Sequence, residues 1–133
     1  MAVSCSTAPL AVPTEPVELV KHIVAGHHAY VRGAIPVIAG HLAKVVEAHG
    51  QRHPETAAIA AHFDIVAREL TLHMMKEEQV LFPYITALAE AAQFGTPPPP
   101  DLFGTVQNPS RTMEIEHQAA GAELAALRAL APG

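Results

Sequence analysis

The amino-acid sequence predicts an all-α protein, an up-down bundle of long helices, and three observations support this prediction. Half of the 133 residues are hydrophobic and only 16% are charged, so the chain can bury one core. Trp is absent and the chain has only four Phe and two Tyr, which favours an aliphatic, Ala-rich core of the helical kind. Apolar residues recur at alternating steps of three and four, and no segment shows convincing strand alternation.

Composition also excludes several classes of function. The net charge of −5 argues against nucleic acid or an anionic membrane surface as a partner. No run of about 18 apolar residues is present, so no membrane span is expected. The single cysteine, Cys5, excludes an intrachain disulfide and a thiolate metal site. Because the N-terminus also lacks the basic start of a signal peptide, a cytoplasmic protein is predicted.

The chain is predicted to begin with a flexible leader at residues 1–14, followed by one helical domain at residues 15–133. The leader contains small residues, Pro and Val without a period. The first helix is predicted from about Val17 to Ala48, with Thr14 as its N-cap. Pro36 is expected to kink this helix rather than end it, because the apolar period resumes unchanged afterwards.

The second helix is predicted to open at residues 54–56, after a polar break that contains Gly50, and to persist to about Ala92. Pro83 is expected to kink or locally break it near its end. The prolines at 97–100 cannot be helical, and they open a long connection. The third helix is predicted to begin near residue 110 and to end near residue 130.

Each predicted helix has one face of apolar residues at steps of four and three, and we call the residues in this register the seam. A histidine interrupts the seam in every helix: His28, then His73, then His117. The second helix adds Glu77, one turn after His73 on the same face. The seam consists of Val24, His28, Val31, Ile35, Ile38, Leu42 and Val45; Ile59, Phe63, Val66, Leu70, His73, Glu77, Val80 and Tyr84; and Met113, His117, Ala120, Leu124 and Leu127.

Three imidazoles and a carboxylate that converge in an apolar bundle are the ligands that a divalent transition metal binds. An ionised Glu inside a core is costly unless a cation or several donors meet it. A single histidine on an apolar face is more often a core side chain, but three in one register with a Glu favour a metal centre. The predicted ligands are therefore His28, His73, Glu77 and His117. The absence of thiolates favours iron or manganese over structural zinc, although zinc sites rich in histidine exist.

The other six of the nine histidines receive different predictions. His22 lies at the margin of the core face and is a candidate of the second rank. His49 would lie about 31 Å from His28 along a straight helix at ~1.5 Å per residue, too far to share its metal unless the chain folds back. Surface or rim positions are predicted for His27, His41, His53 and His62.

Four stretches of the sequence resemble the hemerythrin-like, His-His-Glu cation-binding family: HIVAGHHAYVRGAIPVI at 22–38, KVVEAHG at 44–50, ELTLHMMKEEQVLFP at 69–83 and MEIEHQAAG at 113–121. The resemblance is closest to the family's iron–sulfur cluster repair branch of di-iron proteins, which is linked to nitrosative and oxidative stress. It implies His28, His73, Glu77 and His117 as metal ligands. It also places His22 and His49 where that branch commonly has histidine.

Two features depart from that family. The repair branch usually has an N-terminal domain with paired cysteines, whereas here a short leader contains Cys5 alone. The family's fourth helix supplies a second His-x-x-x-Glu pair, and this sequence shows three of the four helices. Three explanations of the missing fourth helix are expected: the sequence is a truncated form, a homo-oligomer completes the bundle, or the site holds one metal with open coordination positions. The apolar strip left uncovered favours association.

The resemblance implies a non-haem iron-binding protein of the di-iron type that helps to repair iron–sulfur clusters under nitrosative and oxidative stress, with iron–sulfur proteins as partners. The alternative is a hemerythrin-like carrier or sensor of oxygen or nitric oxide, and a third reading is a helical interaction domain without a functional metal. No catalytic residue is predicted, and whether the protein is an enzyme stays open. Glu78 is expected to be a solvated surface acid and Arg32 a surface charge, with a pairing of Arg32 to a ligating carboxylate as the weaker alternative.

Overall fold

The structure of the protein, a computed structural model, describes residues 11–100 and 107–131. Most of the predicted leader, with Cys5, and part of the long connection therefore lie outside the described residues. Every regular element in the described ranges is helical, which confirms the all-α prediction. The helices form three continuous rods, which we number in chain order and which are joined by one short turn and one long connection.

The first rod consists of α1 (Pro16–His22), a π-helical turn (Ile23–His28) and α2 (Ala29–His49). Its N-cap is Glu15, whose carboxylate accepts a hydrogen bond from the backbone N–H of Glu18 at 2.9 Å. The expectation that Thr14 caps this helix is therefore wrong. The carboxylate of Glu15 reaches the free amide at the third helical position, and Pro16 occupies the first position, where no N–H is needed.

The first rod continues through Pro36, as predicted, and ends at a tight turn. Gly50 closes α2 with right-handed backbone angles, and its N–H donates to the carbonyl of Val46 at 2.8 Å. A Cβ at this position would lie well inside van der Waals contact with that same carbonyl oxygen. Close backbone approach, rather than a positive φ, therefore requires glycine here.

The second rod consists of α3 (Glu55–Lys76), a π-helical turn (Glu77–Leu81) and α4 (Phe82–Phe94). Pro83 lies in the first turn of α4, directly after the π-helical turn, so the irregularity expected at this proline falls just before it. The rod ends at Gly95, whose φ of 65° is the left-handed cap that glycine adopts most easily.

The third rod is α5 (Gln107–Leu130), which begins earlier than the predicted residue 110. The second rod is central, because α3 packs against both α2 and α5, while α4 packs against α1. The buried residues of the described chain are few: Val66, Met74, Phe82, Ala91, His28 and His73. None of the helices in the described part of the chain combines the length and the hydrophobicity needed to cross a membrane.

The seam is only partly covered, in agreement with the expected uncovered apolar strip. Ile38 and Val45 of α2 are 42% and 40% exposed, and Leu124 of α5 is 49% exposed. Val80 of the second π-helical turn is 45% exposed. Three rods enclose less of a shared face than four would, and the fold is thus a helical bundle with a partial set of helices.

Candidate metal centre

The three rods bring together the four side chains predicted as ligands. His28 is the last residue of the first π-helical turn, and Glu77 is the first residue of the second. His73 lies one turn before Glu77 on α3, and His117 lies on α5. A π-helical turn inserts extra backbone into a helix and is frequently found at functional sites, because it changes which side chains face the neighbouring helix.

Glu77 connects the first and second rods at this cluster. Its Oε2 lies 2.8 Å from Nε2 of His28, and its Oε1 lies 3.0 Å from Nε2 of His73. The side chain of His117 completes the group, with its Nε2 3.0 Å from Nε2 of His73 and the two ring centroids 4.6 Å apart. The four side chains therefore converge through three imidazole nitrogens and both oxygens of one carboxylate.

The donor set fits a metal ion. One ligand atom from each of His73, Glu77 and His117 lies within 4.8 Å of the others, a grouping compatible with a metal ion. The Nδ1 of His73 contacts the carboxylate of Glu116 at 2.6 Å and must be its donor, since an ionised carboxylate only accepts. In a neutral ring the lone pair of Nε2 then faces the Glu77 oxygen, a repulsive arrangement unless a proton or a cation lies between them.

Burial differs across the cluster. His28 and His73 are each 6% exposed, and the side chain of Glu77 is 14% exposed. His117 is exposed, which corrects the expectation that each of the three histidines points into the shared apolar core. Because α5 packs mainly on α3, the α5 side of the cluster is open to solvent.

The second-rod residue Glu78 is directed toward His28 and Arg32. Arg32, one turn after His28, donates from both terminal nitrogens to Glu78, with Nη1 3.0 Å from Oε1. The hydrogen bond from Arg32 lowers the pKa of Glu78. The expectation of a solvated acid is therefore wrong, because a cation from the neighbouring rod binds this carboxylate.

The ring of His28 is enclosed on its other sides. It stacks on Phe82, with centroids 5.7 Å apart and an interplanar angle of 17°. Its Nδ1 is buried without a hydrogen bond among the described residues, and Oε2 of Glu78, 3.6 Å away, is a nearby acceptor. A metal-ligating histidine commonly has a carboxylate beside its second ring nitrogen, and Glu78 occupies that place for Nδ1 of His28.

Glu116 and Lys76 form the other carboxylate contact of the cluster, and sequence reasoning missed both residues. One oxygen of Glu116 accepts from His73, and Nζ of Lys76 pairs with the other. The hydrogen bond from Lys76, followed by that from His73, lowers the pKa of Glu116. Their proximity to the predicted ligands in sequence could have identified them, since Lys76 follows His73 by three residues on one helix and Glu116 directly precedes His117.

The second-rank candidates His22 and His49 are not joined to the cluster in the described part of the chain. His22 is half-buried at the end of α1, and its ring meets that of His27 edge to face, with centroids 5.6 Å apart. His49 is exposed at the far end of α2. His28 directly precedes α2 and His49 is its last residue, so the length of α2 separates them and they do not share a site.

Three of the histidines predicted at the surface, His27, His41 and His53, are exposed as expected. His62 lies at the rim, half-buried, and its Nδ1 is 2.7 Å from Oε2 of Glu123. This pair links α3 to α5 outside the metal cluster.

A bundle of helical rods with histidines and a glutamate converging between them is the architecture of a cation-binding helical protein. The Hemerythrin HHE cation binding domain family matches residues 20–133 of this chain. The chain therefore belongs to the hemerythrin-like family.

Curated relatives agree with this assignment. A Haemophilus influenzae protein called "Probable iron-sulfur cluster repair protein" is 30% identical over 113 residues, covering 85% of this chain and 45% of the relative. The "Iron-sulfur cluster repair protein YtfE" of Escherichia coli O157:H7 is 30% identical over 86% of this chain and 44% of its own length. The protein of that name from Yersinia pseudotuberculosis is 31% identical over 84% and 45%. This chain thus spans less than half the length of these relatives, and no solved structure matches it significantly.

Proposed function

We propose that the protein binds non-haem iron, in a centre of the di-iron type, and serves in iron–sulfur cluster repair during nitrosative and oxidative stress. The single observation that supports this most is the Glu77 carboxylate, whose two oxygens contact two different buried imidazoles. A carboxylate in that position can bind one ion with each oxygen. Relatives with about 30% identity are named for iron–sulfur cluster repair, which supports the biological role.

In this proposal His28, His73, Glu77 and His117 hold the iron. When bound, iron supplies a redox-active cation that exchanges its outer ligands readily. The buried rings of His28 and His73 orient the inner side of the centre and exclude water from it. The exposed ring of His117 holds the outer side, where solvent reaches the ligand. A centre that is rigid on one side and accessible on the other suits a protein that releases iron to a damaged cluster.

Metal analysis of protein purified without oxygen tests this function. The expected result is iron as the main metal, with an optical spectrum that changes on addition of nitric oxide. His73→Ala should lower the iron content sharply, because it removes the imidazole that contacts both Glu77 and His117. The variant His41→Ala, at an exposed histidine far from the cluster, is the matched control. Manganese or zinc alone in the wild type, or unchanged iron in the His73 variant, would contradict the proposal.

A hemerythrin-like carrier or sensor of oxygen or nitric oxide is the second candidate. The exposure of His117 supports it, because a small ligand can approach the centre from the α5 side. The two functions differ in what happens to the iron. A carrier binds and releases the gas at constant iron content, whereas a repair protein loses iron to an acceptor that lacks part of its cluster. Iron retained quantitatively in the presence of such an acceptor would favour the carrier.

We also propose that the protein is a cytoplasmic homo-oligomer that acts on iron–sulfur proteins, with neither nucleic acid nor membrane as a partner. The half-exposed seam residues Ile38, Val45 and Leu124 support association, because helices from a second copy would cover them. Light scattering after size-exclusion chromatography tests this part. A stable, folded monomer at micromolar concentration would contradict it.

A further inference from the structure

We propose that Glu116 and Lys76 form a clamp that holds the ring of His73 in one tautomer and one orientation, with Nε2 directed at the metal site. We call this pair the His73 clamp. Both members are positioning residues, since they act on a metal ligand rather than on the metal. The inference rests on the proposed metal-binding function and assigns a task to two side chains that this function does not otherwise use.

The contact between His73 and Glu116 determines where the imidazole proton lies. The Nδ1 of His73 is 2.6 Å from Oε2 of Glu116, and an ionised carboxylate can only accept. Glu116 forms the shorter of the two carboxylate contacts of this ring, so the proton of the neutral ring lies on Nδ1 and the lone pair on Nε2. That nitrogen lies 3.0 Å from Oε1 of Glu77 and 3.0 Å from Nε2 of His117, in the middle of the cluster.

Lys76 binds the carboxylate of Glu116, which in turn binds the ring of His73. It follows His73 by three residues on α3, so the two side chains project from the same face of the helix. The Nζ of Lys76 pairs with Oε1 of Glu116 while His73 binds Oε2, so both oxygens are engaged. The side chain of Glu116 is 27% exposed, compared with 51% for Lys76. A carboxylate bound at both oxygens has little freedom to rotate away from the ring.

The clamp also couples α5 to the ring of His73. Glu116 directly precedes His117, so adjacent residues of one helix orient one ligand and supply another. A displacement of α5 would thus disturb both ligands together. Carboxylates that bind the second nitrogen of a metal-ligating histidine commonly change metal affinity by about 10- to 100-fold.

The chain contains a matched control for this contact. His62 and Glu123 also join α3 to α5, with Nδ1 2.7 Å from Oε2 and side chains 35% and 28% exposed. This pair has the same chemistry and links the same two helices, but it lies outside the metal cluster. Removing Glu123 therefore reports what a His–Glu bond contributes to packing alone.

The experiment compares the zinc affinity of the full chain with that of the variants E116A, E116Q and E123A, measured by competition with a chromophoric chelator. E116A should bind zinc about 10- to 100-fold more weakly. E116Q should recover part of the loss, because its amide oxygen still accepts from Nδ1. E123A should bind as the wild type does. Wild-type affinity in E116A, or an equal loss in E123A, would overturn the clamp.

A second readout needs no metal. Two-bond proton–nitrogen NMR spectra of the metal-free protein, recorded at mildly alkaline pH where imidazoles are neutral, report which ring nitrogen of His73 carries the proton. The wild type should show Nδ1–H, and E116A should show a mixture of tautomers. If E116A does not fold, K76M keeps Glu116 but frees one of its oxygens and should show a smaller shift toward the mixture. An unchanged tautomer in every folded clamp variant would overturn the inference.

The two readouts separate the failure of the clamp from the failure of the proposed function. A wild-type protein that binds no transition metal refutes the metal centre, while the NMR spectrum still decides whether Glu116 fixes the His73 tautomer. A wild-type protein that binds metal, with E116A equal to it, refutes the clamp alone.

Discussion

Glu77 is the residue on which the centre depends most at the scale of single side chains. Its carboxylate is mostly buried and contacts imidazoles from two rods. A buried carboxylate is costly unless donors or a cation compensate it, and here the imidazoles of His28 and His73 face its two oxygens, as donors or as fellow ligands of a metal ion. The position is thus better explained by cation binding than by packing.

The substitution Glu77→Gln tests most directly whether this carboxylate is a metal ligand. The amide has the same shape but no charge and is a weaker metal ligand, so metal content should fall below that of E116A, for which an about 10- to 100-fold loss of affinity is expected. Elemental analysis of the purified variant measures this, and circular dichroism verifies that the helices are retained. Glu123→Gln, which removes a charge from the other α3–α5 contact, should keep its metal. Wild-type metal content in the Glu77 variant would contradict the assignment.

At the scale of elements, the two π-helical turns are placed at the metal cluster, one ending at His28 and the other beginning at Glu77. Regular α-helix flanks both turns, so the first and second rods each depart from α-geometry beside a predicted ligand. The extra backbone in a π-helical turn shifts the helical face after it. The local backbone therefore contributes to directing these two side chains toward each other.

Glycines in α2 and at its end should respond oppositely to substitution. A Cβ at Gly40 would meet open space, so Gly40→Ala should raise the free energy of unfolding by about 0.5–1 kcal/mol through helix propensity. A Cβ at Gly50 would collide with the Val46 carbonyl, so Gly50→Ala should lower it. Urea denaturation measures both. Equal effects of the two substitutions would show that the turn does not require close backbone approach.

The N-terminus of α3 gives a prediction for pH. The backbone amide of Glu55 and then the hydrogen bond from His53 lower the pKa of the Glu55 carboxyl. A depressed pKa in the folded state means that the stabilisation is present above the unfolded pKa and is lost as the pH falls through the folded value. NMR titration should give a Glu55 pKa below that of a model peptide, and His53→Ala should bring it part of the way back. A titration of Glu55 identical to the peptide would contradict this.

At the scale of the whole molecule, three rods leave part of the seam exposed around a half-open centre. The exposed residues Ile38, Val45 and Leu124 belong to the same register as the ligands. Such a face is stable in water only when it is small or when another surface covers it. Association and the accessibility of the centre are therefore linked, because a partner on this face also changes how solvent reaches His117.

Leu124→Glu tests the proposed association. A charge in the centre of the exposed seam should shift the assembly toward smaller species, and helix content should be retained because the side chain is already 49% exposed. Ile115→Glu is the matched control, since Ile115 is 60% exposed on the same helix but lies off the seam register. Analytical ultracentrifugation distinguishes the two variants. An unchanged assembly in the Leu124 variant would place the interface elsewhere.

The sequence alone determined the helical fold and the positions of His28, His73, Glu77 and His117 on one register, because helical periodicity and proline and glycine breaks are local properties. Glu78 and Glu116 could not be interpreted in this way. Their partners Arg32 and His73 lie 46 and 43 residues away in sequence, and periodicity along one helix does not report which side chains meet across two. The exposure of His117 likewise follows from how many rods surround α5. Only the tertiary structure decided these features, because packing between helices sets both the partner of a charged side chain and the access of solvent to it.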